Sequence, residues 1–257
     1  MYRFNKEKLL IEYAGCSDIG LVRTENQDTF GIYTSDDLKA DSVKGHLFVV
    51  ADGMGGHKGG KEASNLAVST IKEIYYSTKS SDPVLILKKA IEAANTKIYS
   101  TAQKSENYRR MGTTCSVLLI KKSFASFGHI GDSRIYKVEN NNIEQLTTDH
   151  TKVNELLKEG ILTKEEAEGY PAKSVLTRAL GVNDNVKIDY NENIKLKEGQ
   201  IYVLCSDGLA NVTENEIKNL VILNGCEEAC EKLVALANER GGYDNVTILI
   251  IKIVNKK

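Results

Sequence analysis

Short apolar runs and paired helical segments occur in blocks along this 257-residue chain, and that grouping limits the folds open to it. Positions 47–51 (LFVVA), 115–120 (CSVLLI), 201–205 (IYVLC) and 245–251 (NVTILII) have strand length and are rich in apolar, often β-branched, residues. Positions 29–33 (TFGIY) read as a further strand, and 124–130 and 134–138 flank Gly131-Asp132-Ser133 in the pattern of a hairpin. Helices come between the strands in pairs. Over 61–77, apolar residues at 63, 67, 71 and 74 share one helical face. Asp82 then caps a second helix with Pro83 in its first turn, and Val84, Leu87, Ile91, Ala94 and Ile98 carry it on at 3- and 4-residue spacing. Thr213 and Glu216 form a capping box for a helix to about Leu223, and 227–240 supplies its partner, stopped by Gly241-Gly242. Strands grouped with strands and helices with helices specify an α+β fold, not the strict alternation of a doubly wound sheet. No repeat, low-complexity stretch or Pro/Ser/Gly-rich linker divides the chain, and proline occurs only at 83 and 171, so 1–257 reads as a single domain.

Composition removes several classes of function. Lys and Arg number 34 against 35 Asp and Glu, a formal net charge of −1, so there is no basic field and nucleic acid is not an expected partner. The longest near-continuous apolar run, 246–254, is broken by Lys252 and falls well short of the roughly 20 residues that span a bilayer, so no membrane insertion is expected. The opening MYRFNKEKLLIEYAG lacks the apolar core and small-residue cleavage site of a signal peptide. Five cysteines, at 16, 115, 205, 226 and 230, show no paired metal spacing and read as buried free thiols of a reducing compartment. A soluble, cytoplasmic protein is the expectation.

The informative residues are aspartates at strand edges. Asp52 follows VVA, Asp132 follows GHIG, Asp207 follows VLCS, Asp244 precedes NVTILII, and Asp28 stands just before TFGIY. An Asp-Gly or Gly-Asp pair is ordinarily a turn. Five such sites in one domain are harder to assign to turns, and Asp52-Gly53 leads into a glycine-rich stretch that opens a helix. Carboxylates gathered near an apolar core cost several kcal/mol each unless something compensates, and a divalent cation is the usual compensation. Oxygen donors without a Cys or His cluster favour Mg²⁺ or Mn²⁺ over Zn²⁺. The same glycine-rich stretch, Gly55-Gly-His-Lys-Gly-Gly60-Lys61-Glu62, approaches the phosphate-cradling G-x-x-x-x-G-K-[ST] loop of nucleotide hydrolases. It fails where Glu62 replaces the hydroxyl residue that ligates Mg²⁺, since an anion there repels the phosphates. That reading also leaves Asp207 and Asp244 without roles.

Eight segments in order carry a family resemblance: Gly20-Leu-Val-Arg23-Thr-Glu-Asn26-Gln-Asp28, Val50-Ala-Asp52-Gly-Met-Gly-Gly56, Met111-Gly-Thr-Thr114, Gly128-His-Ile-Gly-Asp132-Ser-Arg134-Ile-Tyr136, Leu146-Thr-Thr-Asp-His150, Leu176-Thr-Arg-Ala-Leu-Gly181, Ser206-Asp207-Gly208-Leu209 and Gly242-Tyr-Asp244-Asn245. The chain resembles the metal-dependent Ser/Thr protein phosphatases of type 2C, in their compact bacterial branch, essentially from end to end. The resemblance implies a four-layer αββα sandwich, two antiparallel β-sheets flanked by pairs of helices, with a two-metal centre at one end. It implies Asp52 bridging two Mn²⁺ or Mg²⁺ ions, the Gly53 carbonyl on one, Asp207 and Asp244 on the other, and Asp28 acting through water. Asp132 with Asp207 would bind a third, weaker metal. A metal-bridging hydroxide would attack phosphorus directly, and Arg23, whose planar fork suits phosphate oxygens, would hold the substrate. Phosphorylated proteins are the implied substrates, with a Ser/Thr protein kinase and its targets as partners and a monomer as the working state.

The pattern has departures. Met54 stands where eukaryotic relatives carry a histidine, which leaves His57 on the glycine-rich loop as the candidate proton donor. His129 reads as a core residue and His150 as a hydrogen-bonding one at a helix start. Gln27 replaces a glutamate common in relatives, and Tyr170-Pro171-Ala-Lys173 replaces a His-Pro segment at the end of 151–173, the stretch that fits the family's flap. A binding module that keeps the fold without turnover is the alternative of another class. The presence of Arg23, Asp52, Asp132, Asp207 and Asp244 argues against it.

Overall fold

The apolar runs form the inner strands of two antiparallel sheets. A computed structural model describes residues 9–34, 44–55, 58–80, 82–104 and 106–255. Its strands are β1 (Leu9–Asp18), β2 (Asp28–Tyr33), β3 (His46–Met54), β4 (Gly112–Thr113), β5 (Cys115–Lys121), β6 (Phe124–Ile130), β7 (Arg134–Glu139), β8 (Asn142–Gln145), β9 (Asp189–Lys195), β10 (Ile201–Cys205) and β11 (Val246–Asn255). The helices are α1 (Lys58–Ser77), α2 (Pro83–Ala102), α3 (Lys152–Lys158), α4 (Lys164–Glu168), α5 (Glu214–Leu223) and α6 (Cys226–Glu239). One sheet runs β1-β11-β10-β7-β8; the other runs β2-β3-β5-β6-β9, with β4 paired to β3.

Side-chain alternation explains the layers. Leu47, Val49 and Ala51 of β3 face α1 and α2, where Ile71, Tyr75, Leu87, Ile91 and Ile98 are buried. Phe48 and Val50 of the same strand face the other way, against Tyr202 and Leu204 of β10 and Leu249 and Ile251 of β11. Val203, Ile248 and Ile250 turn outward onto Ile217, Val221 and Leu233 of α5 and α6. The order is therefore helices, sheet, sheet, helices, as expected. It also explains why the inner strands are apolar throughout, since both faces are covered.

The capping signals act as expected. Asp82 accepts from the N–H groups of Val84 (2.9 Å) and Leu85 (3.1 Å). Thr213 and Glu216 close a reciprocal capping box. Five cysteines are free thiols, four buried and Cys16 half-buried. Among the described residues no helix is long and apolar enough to cross a membrane.

One expectation fails. Residues 131–133 do not close a hairpin: β6 pairs with β5 and β9, while β7 pairs with β10 and β8 in the other sheet. Gly131-Asp132-Ser133 instead carries the chain from one sheet to the other across the end of the sandwich. Gly131 sits at φ +103°, packed on Thr114, and Ser133 Oγ lies 2.6 Å from Thr114 Oγ1. A neighbouring hairpin joins β7 to β8 through Asn140 and Asn141, both at positive φ as a type I′ turn requires.

Candidate active site

The strand ends that carry the aspartates meet at one end of the two sheets. Asp28 opens β2 and lies directly opposite Asp52 of β3 in the strand register. Two like charges so placed repel unless one is neutralised or a counter-charge intervenes. Asp52 is fixed by its backbone: its N–H donates to Thr114 Oγ1 (2.9 Å), and its carbonyl accepts from Thr114 N–H (2.9 Å) and Thr113 Oγ1 (2.8 Å). Asp207 follows β10 in a single helical turn, where any side chain on Gly208 would strike the Asn245 backbone. Asp132 occupies the crossover between the sheets, and Asp244 precedes β11.

A cleft of about 970 Å³ opens over these residues, lined by Arg23, Asp52, Gly53, Asp132, Asp207 and Asp244 among others. Burial comes first among the causes that push four of these carboxyls above the ordinary range. Asp28 reaches about 6 through burial and the charges of Asp207 and Asp244, moderated by the Ser206 hydroxyl that donates to its Oδ2 at 2.7 Å. Asp132 reaches about 7 through burial, then Asp207 and Asp149. Asp52 stands well above its usual value through burial, then Asp28, Asp207 and Asp132, and Asp207 is raised by burial and Asp244. The cleft is thus a region of excess negative charge in which proximity works against ionisation.

Positive charge enters from its rims. Arg23 Nη2 donates to Asp244 Oδ2 at 2.6 Å. Arg134 grips Asp149 with its fork, Nε at 3.1 and 3.0 Å and Nη2 at 2.7 Å, and its charge pulls Asp132 and Asp207 downward. A second cavity of about 490 Å³ adjoins, lined by Arg134, Asp149, Asp132, Asp207 and residues of 151–174, including Lys164 and Lys173. The segment 151–173 holds α3 and α4 and borders that cavity.

The sequence pattern of the protein phosphatase 2C family matches residues 23–241. Over 247 residues the chain is 38% identical to protein phosphatase PhpP of Streptococcus pneumoniae, covering 94% of this chain and 97% of that protein. The chain belongs to the protein phosphatase 2C family. Its fold superposes on the serine/threonine phosphatase of S. agalactiae with a TM-score of 0.86 at 35% identity, over 95% of this chain and 99% of the other. It superposes on the catalytic domain of the phosphatase PstP, crystallised with two manganese ions, with a TM-score of 0.80 at 32% identity, over 96% and 99%. The chain is accordingly a protein serine/threonine phosphatase.

Within this family member, Arg23, Asp52, Gly53, Asp132, Asp207 and Asp244 line one cleft, Asp28 is buried beside it opposite Asp52, and His57 lies outside the described residues. Within the glycine-rich stretch, Gly60 has a packing role. A Cβ on Gly60 would press the Gly53 carbonyl at 2.7 Å and Gln27 Oε1 at 2.6 Å, so Gly53 and Gly60 let the start of α1 close onto β3. His129 is a buried core residue, hydrogen-bonded to Ser116 Oγ (2.9 Å) and the Thr148 carbonyl (3.2 Å). His150 is likewise buried, accepting from Gly131 N–H (3.1 Å) and facing Asp189 (3.1 Å).

Sequence reasoning missed three supporting residues. Ser206 anchors Asp28 as above. Thr114 holds the Asp52 backbone. Asn245 ties the loop of Arg23 to the loop of Asp244, its Nδ2 donating to the carbonyls of Ile19 (2.9 Å) and Glu25 (3.0 Å) and its Oδ1 accepting from Gln27 N–H (2.8 Å). All three lie inside quoted motifs, which was the available signal.

Two observations bear on whether divalent cations fit. Among the described residues no group of three or more carboxylate, imidazole or thiol side chains converges tightly enough to hold an ion unaided, so the aspartates line a cleft and do not close a cage. Yet Asp28 Oδ1 and Asp207 Oδ1 are buried without a hydrogen-bond partner. An orphaned buried carboxylate oxygen is costly, and a cation that keeps several of its waters is the partner such an open oxygen-donor set suits.

Proposed function

We propose that the chain hydrolyses phosphoserine and phosphothreonine in proteins with the help of two Mn²⁺ or Mg²⁺ ions. The observation that carries this reading is the pair of orphaned oxygens, on Asp28 and Asp207, in a cleft whose aspartates repel one another. Asp52, the Gly53 carbonyl, Asp207 and Asp244 would hold the two ions, Asp28 would reach them through water, and Asp132 with Asp207 would take a third. Bound there, divalent cations supply charge neutralisation and a water acidic enough to furnish a nucleophile near neutral pH.

The chain's own residues do the rest. Arg23 presents a planar, permanently charged fork to the phosphate oxygens, and phosphate binding exchanges its contact with Asp244 for a contact with substrate. Attack on phosphorus is direct, with no phosphoenzyme, and the leaving serine or threonine oxygen takes a proton from His57. Residues 151–173 form a flap beside the substrate. The cellular role that follows is reversal of a Ser/Thr protein kinase by a cytoplasmic monomer, without nucleic-acid binding or membrane insertion.

Phosphate release from a phosphothreonine peptide, measured with Mn²⁺ and with EDTA, tests the reading. Release should require Mn²⁺; undiminished release in EDTA overturns it.

A further inference from the structure

Beside the cleft, two neighbouring loops hold apolar side chains out in water. Leu21 is 69% exposed, Val22 61% and Tyr243 66%, and Ile19 stands at the base of the same loop. Loose backbone does not explain this exposure. Leu21 N–H donates to the Gly242 carbonyl at 2.8 Å, and Asn245 Nδ2 binds the Ile19 carbonyl at 2.9 Å. Gly20, at φ +78°, lies so near the Gly242 carbonyl that a Cβ would approach it to 2.7 Å. The loops are stapled to each other, and the staples fix the apolar side chains outward. Large apolar groups displayed together on a rigid frame mark a contact surface more often than isolated exposed ones do.

The rim is continuous with the cleft. Arg23 follows Val22 in one loop and Asp244 follows Tyr243 in the other, and both line the cleft and pair at 2.6 Å. One residue, about 3.8 Å of chain, separates Arg23 from the rim on one loop and Asp244 from it on the other. A phosphorylated segment whose phosphate meets Arg23 therefore has Leu21, Val22 and Tyr243 within reach of an adjoining residue. Those side chains carry no charge, and the carboxylates on the same loops are engaged: Asp244 by Arg23 (2.6 Å), Asp18 by Gly20 N–H (2.8 Å) and Asn238 Nδ2 (3.1 Å).

We infer that this rim is a docking surface for a large apolar residue flanking the phosphoserine or phosphothreonine of the protein substrate. The inference rests on the phosphatase reading above and deepens it to a class of substrate sequence. A small aryl phosphate occupies only the cleft and is indifferent to the rim.

The experiment compares two phosphothreonine peptides, one with Leu on both sides of the phosphoresidue and one with Ser, alongside p-nitrophenyl phosphate, all with Mn²⁺. Wild type and the variant Leu21→Ser/Tyr243→Ser are assayed together. Wild type should favour the Leu-flanked peptide by about tenfold in kcat/KM, and the variant should lose that preference while turning over p-nitrophenyl phosphate within about twofold of wild type. Equal turnover of the two peptides by wild type overturns the inference, as does an equal loss on all three substrates in the variant. A wild-type dimer that the variant dissolves, with peptide preference intact, assigns the rim to self-association and also overturns it. Failure of wild type to cleave p-nitrophenyl phosphate at all is the separate outcome that sinks the phosphatase reading itself.

Discussion

Arg23 and Asp244, 221 residues apart in sequence, meet through a 2.6 Å contact between Nη2 and Oδ2 at the mouth of the cleft. The two loops that bring them together are joined by Asn245, and the side chains on both remain partly open to solvent. The guanidinium is thus held at the edge of the cleft by a carboxylate partner and kept within reach of an incoming phosphate. An exposed pair of this kind adds little to stability, so parting it to meet a phosphate, as proposed above, costs the fold little.

Arg23→Lys retains the charge and removes the fork. On p-nitrophenyl phosphate, kcat/KM should fall by about 10- to 100-fold, with the melting temperature unchanged within about 2 °C. Steady-state kinetics and a thermal melt check both halves; full activity in the Lys variant contradicts the role given to Arg23.

The crowded carboxyls also set a pH dependence. The Asp132 carboxyl sits at about 7 in the fold, against 3.8 when unperturbed. Between those values the folded chain holds a proton that the unfolded chain has released. The stability this group contributes is therefore complete below 3.8 and lost as pH rises through about 7. Asp132→Asn removes the ionisation. In EDTA the variant should melt higher than wild type at pH 8, by about 2 °C or more, and the gap should shrink at pH 5. Differential scanning calorimetry at the two pH values reads the gap; a variant less stable at pH 8 contradicts it.

His129 titrates with the opposite sign. Burial, then the charge of His150, lowers its imidazole to about 3 from an ordinary 6.5. Its contribution to stability is present above 6.5 and is lost as pH falls toward about 3, because the unfolded chain then binds the extra proton. The slope from this residue is up to about 1.4 kcal/mol per pH unit. His129→Gln should start less stable, having lost the Ser116 and Thr148 contacts, yet show a flatter decline between pH 6 and 4. Urea unfolding across that range measures the slope, and an unaltered slope contradicts the assignment.

What was legible in the sequence, and what was not, follows from the range of the interactions. Asp52 and Asp207 stood out because a carboxylate at the end of a wholly apolar run has a local signature. The inner strands were legible for the same reason, being buried on both faces. β1 and β9 were not recognised, since they lie at sheet edges with half-exposed or polar sequences such as DYNENIK. The misread turn at Gly131–Ser133 has a related cause. Local residues announce that the chain turns, but whether the next strand joins the same sheet depends on its pairing with β10, which is distant in sequence. Ser206 and Asn245 escaped notice because their partners, Asp28, Ile19 and Glu25, lie 178, 226 and 220 residues away.

Whether the aspartates hold metal is decided most directly by calorimetric titration of Mn²⁺ into wild type and Asp52→Asn. Wild type should take up at least two ions per chain, and the variant should lose the tighter of them, with affinity weakened about 100-fold or more. Equal Mn²⁺ uptake by both proteins, or none by wild type, would contradict a metal centre built on Asp52.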